Sequence, residues 1–480
     1  MTGRAGRDKA KFTTGRTMGH VVTMTLTGSI GLISVFAVDA LNLFYISLLG
    51  QAELAAAVGY AGTLMFFTVS VAIGFTIATG ALVSRALGAG KREEAAKSGG
   101  ASLIYMAVAM TAIATLAWIY IPELLGILGA AGRTKELADG FLRIVFPSTP
   151  LMAIGMCATG ILRGTGDARR AMYVTLAGAV AAAVMDPVLI FALDLGLTGA
   201  ALSTLFSRIA LLLVGLHGAA IVHRLVRRPD LAALKSTLRP FFAIGGPAVM
   251  TQLATPVGNA YVTAQIAAFG DGAVAGWAII GRLIPVAFGV IFSLSGAVGP
   301  ILGQNYGAKL YHRLHETMRD ALIFTTGYVL VLWAVLAMFA GGIADIFRAQ
   351  GEARELVVFF CTFASASFLF NGALFVANAA FNNLGYALYS TALNWGRSTL
   401  GIIPFVWVGA HYYGATGVIA GWALGAVVFG IAAVLLCFRV VGSIESRDRP
   451  DHDKVPGPPP AAQSPFTTGK GATLGWDPDS

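Results

Sequence analysis

The chain has 480 residues, of which 12% are charged and 56% hydrophobic, with a mean hydropathy of +0.74 and a formal net charge of +9. A soluble enzyme of this length would carry about a quarter charged residues, so the composition excludes a soluble protein and requires a bilayer. The positive balance does not point to nucleic acid, because the basic residues fall in alternate loops, as orientation in a membrane requires.

In chain order, residues 1–16 form a basic arm (Arg4, Arg7, Lys9, Lys11, Arg16) read as an orientation signal. No small-residue cleavage site follows, so a removable signal peptide is not expected. Residues 17–223 read as a first lobe with apolar spans at 17–49, 53–84, 99–121, 137–162, 171–193 and 199–223. Residues 224–240 form a basic linker, RLVRRPDLAALKSTLRP, whose LAALKSTL portion has the spacing of a short interfacial helix. Residues 241–440 read as a second lobe with spans at 241–269, 273–303, 319–341, 356–382, 388–412 and 417–438. From 441 to 480 a charged and then Pro- and Gly-rich composition predicts a disordered tail. The spans are long enough to cross a core of about 30 Å as helices, and the period-2 alternation of membrane strands is absent. An all-α integral membrane protein of twelve transmembrane helices in two pseudo-symmetric six-helix lobes is therefore expected. The basic loops place both termini in the cytoplasm and the chain in the cell membrane.

The two lobes repeat. Gly88 in GALVSRALGAG matches Gly307 in GPILGQNYGAK (307 − 88 = 219), and Gly166 matches Gly385 (385 − 166 = 219). Gly50 pairs with Gly270 (270 − 50 = 220) and Gly199 with Gly417 (417 − 199 = 218). Such duplication marks transporters whose halves rock around a central site. The loop glycines Gly88, Gly90, Gly164, Gly166, Gly307 and Gly385 are expected to serve as helix-ending turns.

An acid inside a span is expensive to keep, and two stand out, Asp39 in GLISVFAVDALNLFYISLLG and Asp186 in AAAVMDPVLIFAL. Asp39 precedes Leu49 by ten residues (49 − 39 = 10) and Asp186 precedes Leu193 by seven (193 − 186 = 7), so at 1.5 Å per residue both lie about 10–15 Å below the non-basic surface. A carboxyl in a low-dielectric cavity resists ionising, and two together resist it more, which suits a group that loads and releases protons near neutral pH. Asn42, three residues after Asp39, shares its helical face, and Pro187 weakens the helix ladder after Asp186. At the offset of 220, Asp39 corresponds to Asn259, so the second lobe has no acid at that place. It offers the amides Gln252, Asn259, Gln265, Asn371, Asn378 and Asn382 instead, of which Gln252, Asn259, Asn371 and Asn378 are the candidates for lining a substrate cavity.

Cys157, Cys361 and Cys437 lie inside spans without metal-ligand spacing and read as packing residues, and no metal site is expected. His20, His217 and His223 sit near the basic ends and read as polar anchors. The glycines of LRGTGDA fit no nucleotide motif, and no clustered acids or His-Asp pair support an enzyme.

The segments VDALNLFYISLLGQAELAA, RALGAGKREEA, LRGTGDARRAMYVTLAG, MDPVLIFALDLGLTGAALST, GPILGQNYGAK and GATGVIAGW together resemble the multidrug and toxic compound extrusion family, over roughly residues 18 to 440. The resemblance is to the prokaryotic branch related to the DNA-damage-inducible protein. It implies two lobes that open alternately to the two faces, exporting amphipathic, often cationic compounds in exchange for protons or sodium ions. Asp39 matches the branch's first-helix acid, Asp186 the acid of its fifth-helix DP motif, and Thr204 in GAALST a polar position of the same site. Ala182 stands where an asparagine is usual, Asn371 where sodium-coupled members have an acid, and Gln252 near their seventh-helix glutamate. The expected protein is a monomeric efflux antiporter for small molecules in the lipid bilayer, with no nucleic-acid partner and no resident cofactor beyond the coupling proton or Na+. The alternative is a flippase for a lipid-linked precursor, which would use cations such as Arg208, Arg282 and Arg397 in the cavity; from sequence these fall near basic ends or off the central level.

Overall fold

The computed structural model describes residues 10–448; most of the basic arm and the disordered tail expected from 449 to 480 lie outside them. Helix α1 spans Thr17–Ser47, α2 Ala52–Gly88, α3 Arg92–Ile119, α4 Gly132–Thr165, α5 Ala168–Ala192 and α6 Gly196–Val222. The second half follows with α7 Leu231–Ala267, α8 Asp271–Gly307, α9 Tyr311–Met338, α10 at 351–384, α11 at 387–413 and α12 at 415–448. Ten helical stretches among the described residues are long and apolar enough to cross a bilayer. One of these ten, Ala387–Ser446, turns back at Gly414 (φ 62°, ψ −145°) and so supplies both α11 and α12. With α7, whose first turns are polar, the crossings come to twelve (10 + 1 + 1).

The repeat is visible in element boundaries. Helix α9 begins 219 residues after α3 (311 − 92) and ends 219 after it (338 − 119), and the short helices Ile121–Ile127 and Ala340–Ile346 keep the same step (340 − 121). Helices α4 and α10 both break into a 3-10 turn, at Phe146–Ser148 and Ala364–Ser367, and both end on a left-handed glycine, Gly166 (φ 86°) and Gly385 (φ 95°). The repeated glycines Gly199 and Gly417 close the α5–α6 and α11–α12 hairpins. A Cβ on Gly199 would meet the Leu189 carbonyl oxygen at 2.5 Å, and one on Gly417 that of Gly409 at 2.0 Å.

Two boundaries differ from the sequence reading. The LAALKSTL segment is the first turns of α7 rather than a separate interfacial helix. Asp230 caps it by accepting from the Ala233 amide at 2.7 Å, a contact worth about 1 kcal/mol, so the linker shrinks to 223–230. Helix α12 runs on to Asp448, past the expected start of the tail at 441. The loops with Lys91, Arg170, Arg227 and Lys309 share one face, while Arg133, Lys135, Arg348 and Arg354 lie at the other, where Arg354 pairs with Asp345. On the basic face Asp167 caps α5 and lies 2.8 Å from His223 Nε2. Burial raises its proton affinity, but the hydrogen bonds from Arg170 and His223 outweigh this and hold the carboxyl below the usual range.

The halves meet at the basic face through their repeated glycines. A Cβ on Gly88 would lie 2.0 Å from the Gln304 carbonyl oxygen, and one on Gly307 2.1 Å from that of Arg85, a reciprocal contact across the pseudo-two-fold (304 − 85 = 219). Gly88, Gly164 and Gly307 therefore act as close-approach positions; the left-handed turns expected of them fall instead on Gly90 and Lys309. Arg85 of α2 donates to the Asn383 and Asn382 carbonyls at the end of α10, at 2.8 and 3.1 Å, where the helix dipole favours a cation. The described part of the arm is wedged into the same seal. Lys11 donates to Gly166 O at 2.7 Å, the Phe12 amide donates to Gln304 Oε1 at 2.9 Å, and Gln304 donates to Gly164 O at 2.7 Å. Phe12 is fully buried in one apolar cluster with Leu294, Ile301 and Leu314 of the second half.

Substituting Gly88 by Leu must part α2 from α8. A cysteine placed at the buried Ser84 is expected to react slowly with maleimide in the parent background and at least about ten-fold faster with Gly88→Leu, the shift that about 1.4 kcal/mol produces; equal rates would show that the glycine contact does not hold the seal.

Candidate functional site

Above the seal the halves stay in contact for several turns before they part. Helices α1 and α8 run antiparallel and touch where Ser293 donates to Thr25 O at 3.1 Å, where a Cβ on Gly28 would meet Ser293, and where one on Gly289 would meet Ile33 at 3.0 Å. Beyond Ile33, Ala37, Asp39, Ala40 and Leu43 of α1 are exposed, as are Ala278, Arg282 and Val286 of α8. The register carries upward: 28 + 293 = 321, so Asp39 stands opposite position 282 (321 − 39), which is Arg282. Asp39 and Arg282 are thus both exposed at about one level of the cleft that opens away from the basic face.

Asp39 lies within electrostatic reach of Asp186 on α5. Asp186 is fully buried, and Asn42 of α1 donates to its Oδ1 at 3.0 Å while Oδ2 has no partner among the described residues. The structure thus brings Asp39, Asn42 and Asp186 together, with Asn42 donating to Asp186 where the sequence suggested it would hold Asp39. After Pro187, α5 winds as a π-helix over Val188–Ala192, because proline has no N–H to give to the preceding turn. Thr204 is half-buried and donates to Ala200 O of its own helix at 3.0 Å. Its neighbour Ser203 is the α6 residue beside Asp186, and its hydroxyl reaches the Ala182 carbonyl at 3.3 Å. The position where an asparagine side chain is missing still serves the site through its backbone.

In the second half the amides divide. Gln252, Thr255 and Asn259 lie at i, i+3 and i+7 on α7, half-buried, exposed and exposed respectively. The apolar Met250 and Val257 mark a different, lipid-facing flank, so the polar stripe faces the cleft. Asn371 and Asn378 are not brought to the cleft surface. Both are buried: Asn378 Oδ1 accepts from Ser390 at 2.7 Å and Asn394 at 3.0 Å, tying α10 to α11, and Asn371 accepts from Arg397 at 3.2 Å. Arg208 and Arg397 are likewise buried inside their lobes, Arg208 in the middle of α6 and Arg397 in the last turn before α11 breaks at 399–402. Arg208 donates to Val145 O, Ser148 Oγ and Thr149 Oγ1 at 2.7–3.1 Å and so caps the break in α4. Sequence reasoning missed Ser203 and Thr255, since a lone hydroxyl in an apolar span gives no pattern.

The fold and cleft define a two-lobed membrane transporter, not an enzyme. The MatE family model matches residues 29–188 and 247–408, once in each half, and the chain belongs to that family. It is 26% identical over 434 residues to a FAD transporter of Shewanella oneidensis, covering 89% of this chain and 95% of the relative. It is 26% identical over 409 residues to the multidrug export protein MepA of Staphylococcus aureus, covering 83% and 88%. Among solved structures, the Vibrio cholerae MATE transporter VcmN in its bent form superposes with a TM-score of 0.84 at 25% identity, covering 89% of this chain and 97% of that one.

Removing the Asn42 donor leaves the buried Asp186 carboxyl poorly satisfied. Asn42→Ala is expected to lower stability by about 1–3 kcal/mol in thermal unfolding of the purified protein, and Asn42→Ala with Asp186→Ala to cost less than the two single changes added; strict additivity would show that the pair does not interact.

Proposed function

We propose that the chain is a secondary active efflux antiporter that exports amphipathic, cationic organic compounds in exchange for protons, or for sodium ions, by alternating access. It works as a monomer in the cell membrane with both termini in the cytoplasm, so the cleft described above opens outward. The observation that carries this reading is an acid, Asp39, accessible to the cleft and coupled to a buried acid, Asp186, in one lobe alone. A water-accessible carboxyl backed by a second carboxyl exchanges protons with the open face, while an amide such as Asn259 at the matching place does not.

Loading Asp39 removes a negative charge from the wall that faces the substrate and from the pair with Asp186. The charged group within its electrostatic reach is Asp186 on α5, and the exposed cation at the same level of α8 is Arg282. Affinity for a cationic substrate falls on the outer side, the substrate leaves, and return to the inward-open state delivers the proton to the cytoplasm. Carboxylate oxygens also suit sodium, and either ion is compatible with this set of donors. The relatives include a FAD transporter and multidrug export proteins, which supports transport of organic compounds of varied shape. A flippase for a lipid-linked precursor is the second reading. It would use a cluster of free cations, but Arg208 is committed to the break in α4.

In proteoliposomes, Asp39→Asn is expected to reduce pH-driven export of a cationic dye by about ten-fold or more, within the usual range of coupling energies, and collapse of the proton gradient to stop wild-type export with sodium absent. Undiminished export by Asp39→Asn would remove Asp39 from the mechanism.

A further inference from the structure

Arg397 is 7% exposed, and among the described residues it forms no ion pair. Its Nη1 donates to Asn371 Oδ1 and its Nη2 to Thr255 Oγ1, both at a long 3.2 Å, and its Nε has no partner. A guanidinium has five N–H donors and never loses its charge in a protein, so burying one against two neutral acceptors leaves donor capacity unfilled and its charge without an ion-pair partner, offset only in part by the last helical turn in which Arg397 lies. The equivalent need in the first half does not explain it. Arg208 caps the broken helix α4, whereas at the matching break in α10 it is Trp333 that donates to the Thr362 carbonyl, at 2.7 Å.

The guanidinium is not sealed off from the cleft. Thr255, which receives Nη2, is exposed on the polar stripe of α7 between Gln252 and Asn259, twelve residues or about 18 Å below the outer end of that helix at Ala267 (267 − 255 = 12). Its oxygen accepts from Arg397, which leaves its O–H to donate toward the cleft. The cleft is therefore polarised: Asp39 and Asp186 on the first-half wall, and a fixed cation behind a hydroxyl on the second-half wall.

We infer that Arg397, reached past Thr255 and flanked by Gln252 and Asn259, is the cationic part of a substrate subsite that takes an oxyanion group, a carboxylate or phosphate, carried by an otherwise amphipathic compound. This rests on the transport reading and refines it: favoured substrates carry an acidic group as well as a cationic or aromatic body. The oxyanion would supply the counter-charge that the buried guanidinium lacks, and a guanidinium fork holds such groups by charge-assisted hydrogen bonds.

The test uses two dyes with one ring system, rhodamine 19, whose free carboxylate makes it a zwitterion, and rhodamine 6G, its ethyl ester. Binding is read by fluorescence anisotropy on the full chain in nanodiscs. Wild type is expected to bind rhodamine 19 about ten-fold more tightly than rhodamine 6G, the effect of one charge-assisted hydrogen bond. Arg397→Gln is expected to abolish that preference while leaving rhodamine 6G affinity within about two-fold, and Arg397→Lys to keep part of it, since the charge stays and the fork is lost. Should Arg397→Gln fail to fold, Thr255→Val reads the same subsite from the cleft and is expected to weaken rhodamine 19 alone. A wild type without preference, a variant that loses both dyes equally, or a Thr255→Val variant with unchanged preference would each overturn the proposal and leave Arg397 a structural pin. A chain that shows the preference but exports neither dye would sink the transport reading and leave the subsite standing.

Discussion

Two backbones pressed together at the basic face determine how the rest of the molecule is disposed. Gly88 lies on the main chain of Gln304 and Gly307 on that of Arg85, so α2 and α8 touch without side chains between them. Van der Waals contact at that distance tolerates no Cβ, and the lobes stay in contact above it along α1 and α8, as far as Ile33 against Gly289, and along α2 and α7, where Gly74 meets Val249. Arg85 on the end of α10, and Phe12 with Gln304 between the lobes, add polar bonds that cross the same seam. With the helices joined at one end and free at the other, the walls diverge, and Asp39 sits two turns beyond the last close approach at Ile33. The acid is thereby wet on one side and backed by buried Asp186 on the other.

That placement creates an electrical asymmetry which the glycine symmetry does not share. The first lobe spends its buried cation, Arg208, on a helix break and keeps two carboxyls near the cleft. The second lobe holds its break with Trp333 and keeps a guanidinium near the cleft, behind Thr255. In a medium of low dielectric these charges interact strongly with one another and with any charged cargo, so a scaffold duplicated in backbone works as two unlike walls. On the proposed mechanism, exchange of a cation at one wall changes the field felt at both.

Much of this was legible in the chain. The 219-residue step, the twelve crossings and the meeting of Asp39, Asn42 and Asp186 follow from glycine spacing, apolar length and depth along a helix, all of them properties with a fixed period. What escaped depended on tertiary neighbours. Gly88 and Gly307 look like turn glycines because charged loops follow them, yet the turns are made two residues later by Gly90 and Lys309. Phe12 sits in a run read for its charge alone, and only the facing helices show that it is buried. Asp230, an ordinary polar residue in a basic linker, starts α7 ten residues earlier than hydropathy suggested (241 − 231 = 10). Asn371 and Asn378 share a helix and a chemistry with cavity amides, but partners on α11 turn them inward.

The central claim is that the charge state of Asp39 biases which face the cleft opens to, and distances across both ends of the molecule test it directly. Spin labels at Leu43 and Ala278 bracket the mouth, and labels at Glu94 and Arg319 bracket the basic face, all at exposed positions. On lowering the pH from about 8 to about 5, which progressively protonates carboxylates, the mouth pair should shorten and the basic-face pair lengthen in wild type. Asp39→Asn should show the low-pH distances at both values. Distances in wild type that do not move, or that move equally in Asp39→Asn, would contradict the account.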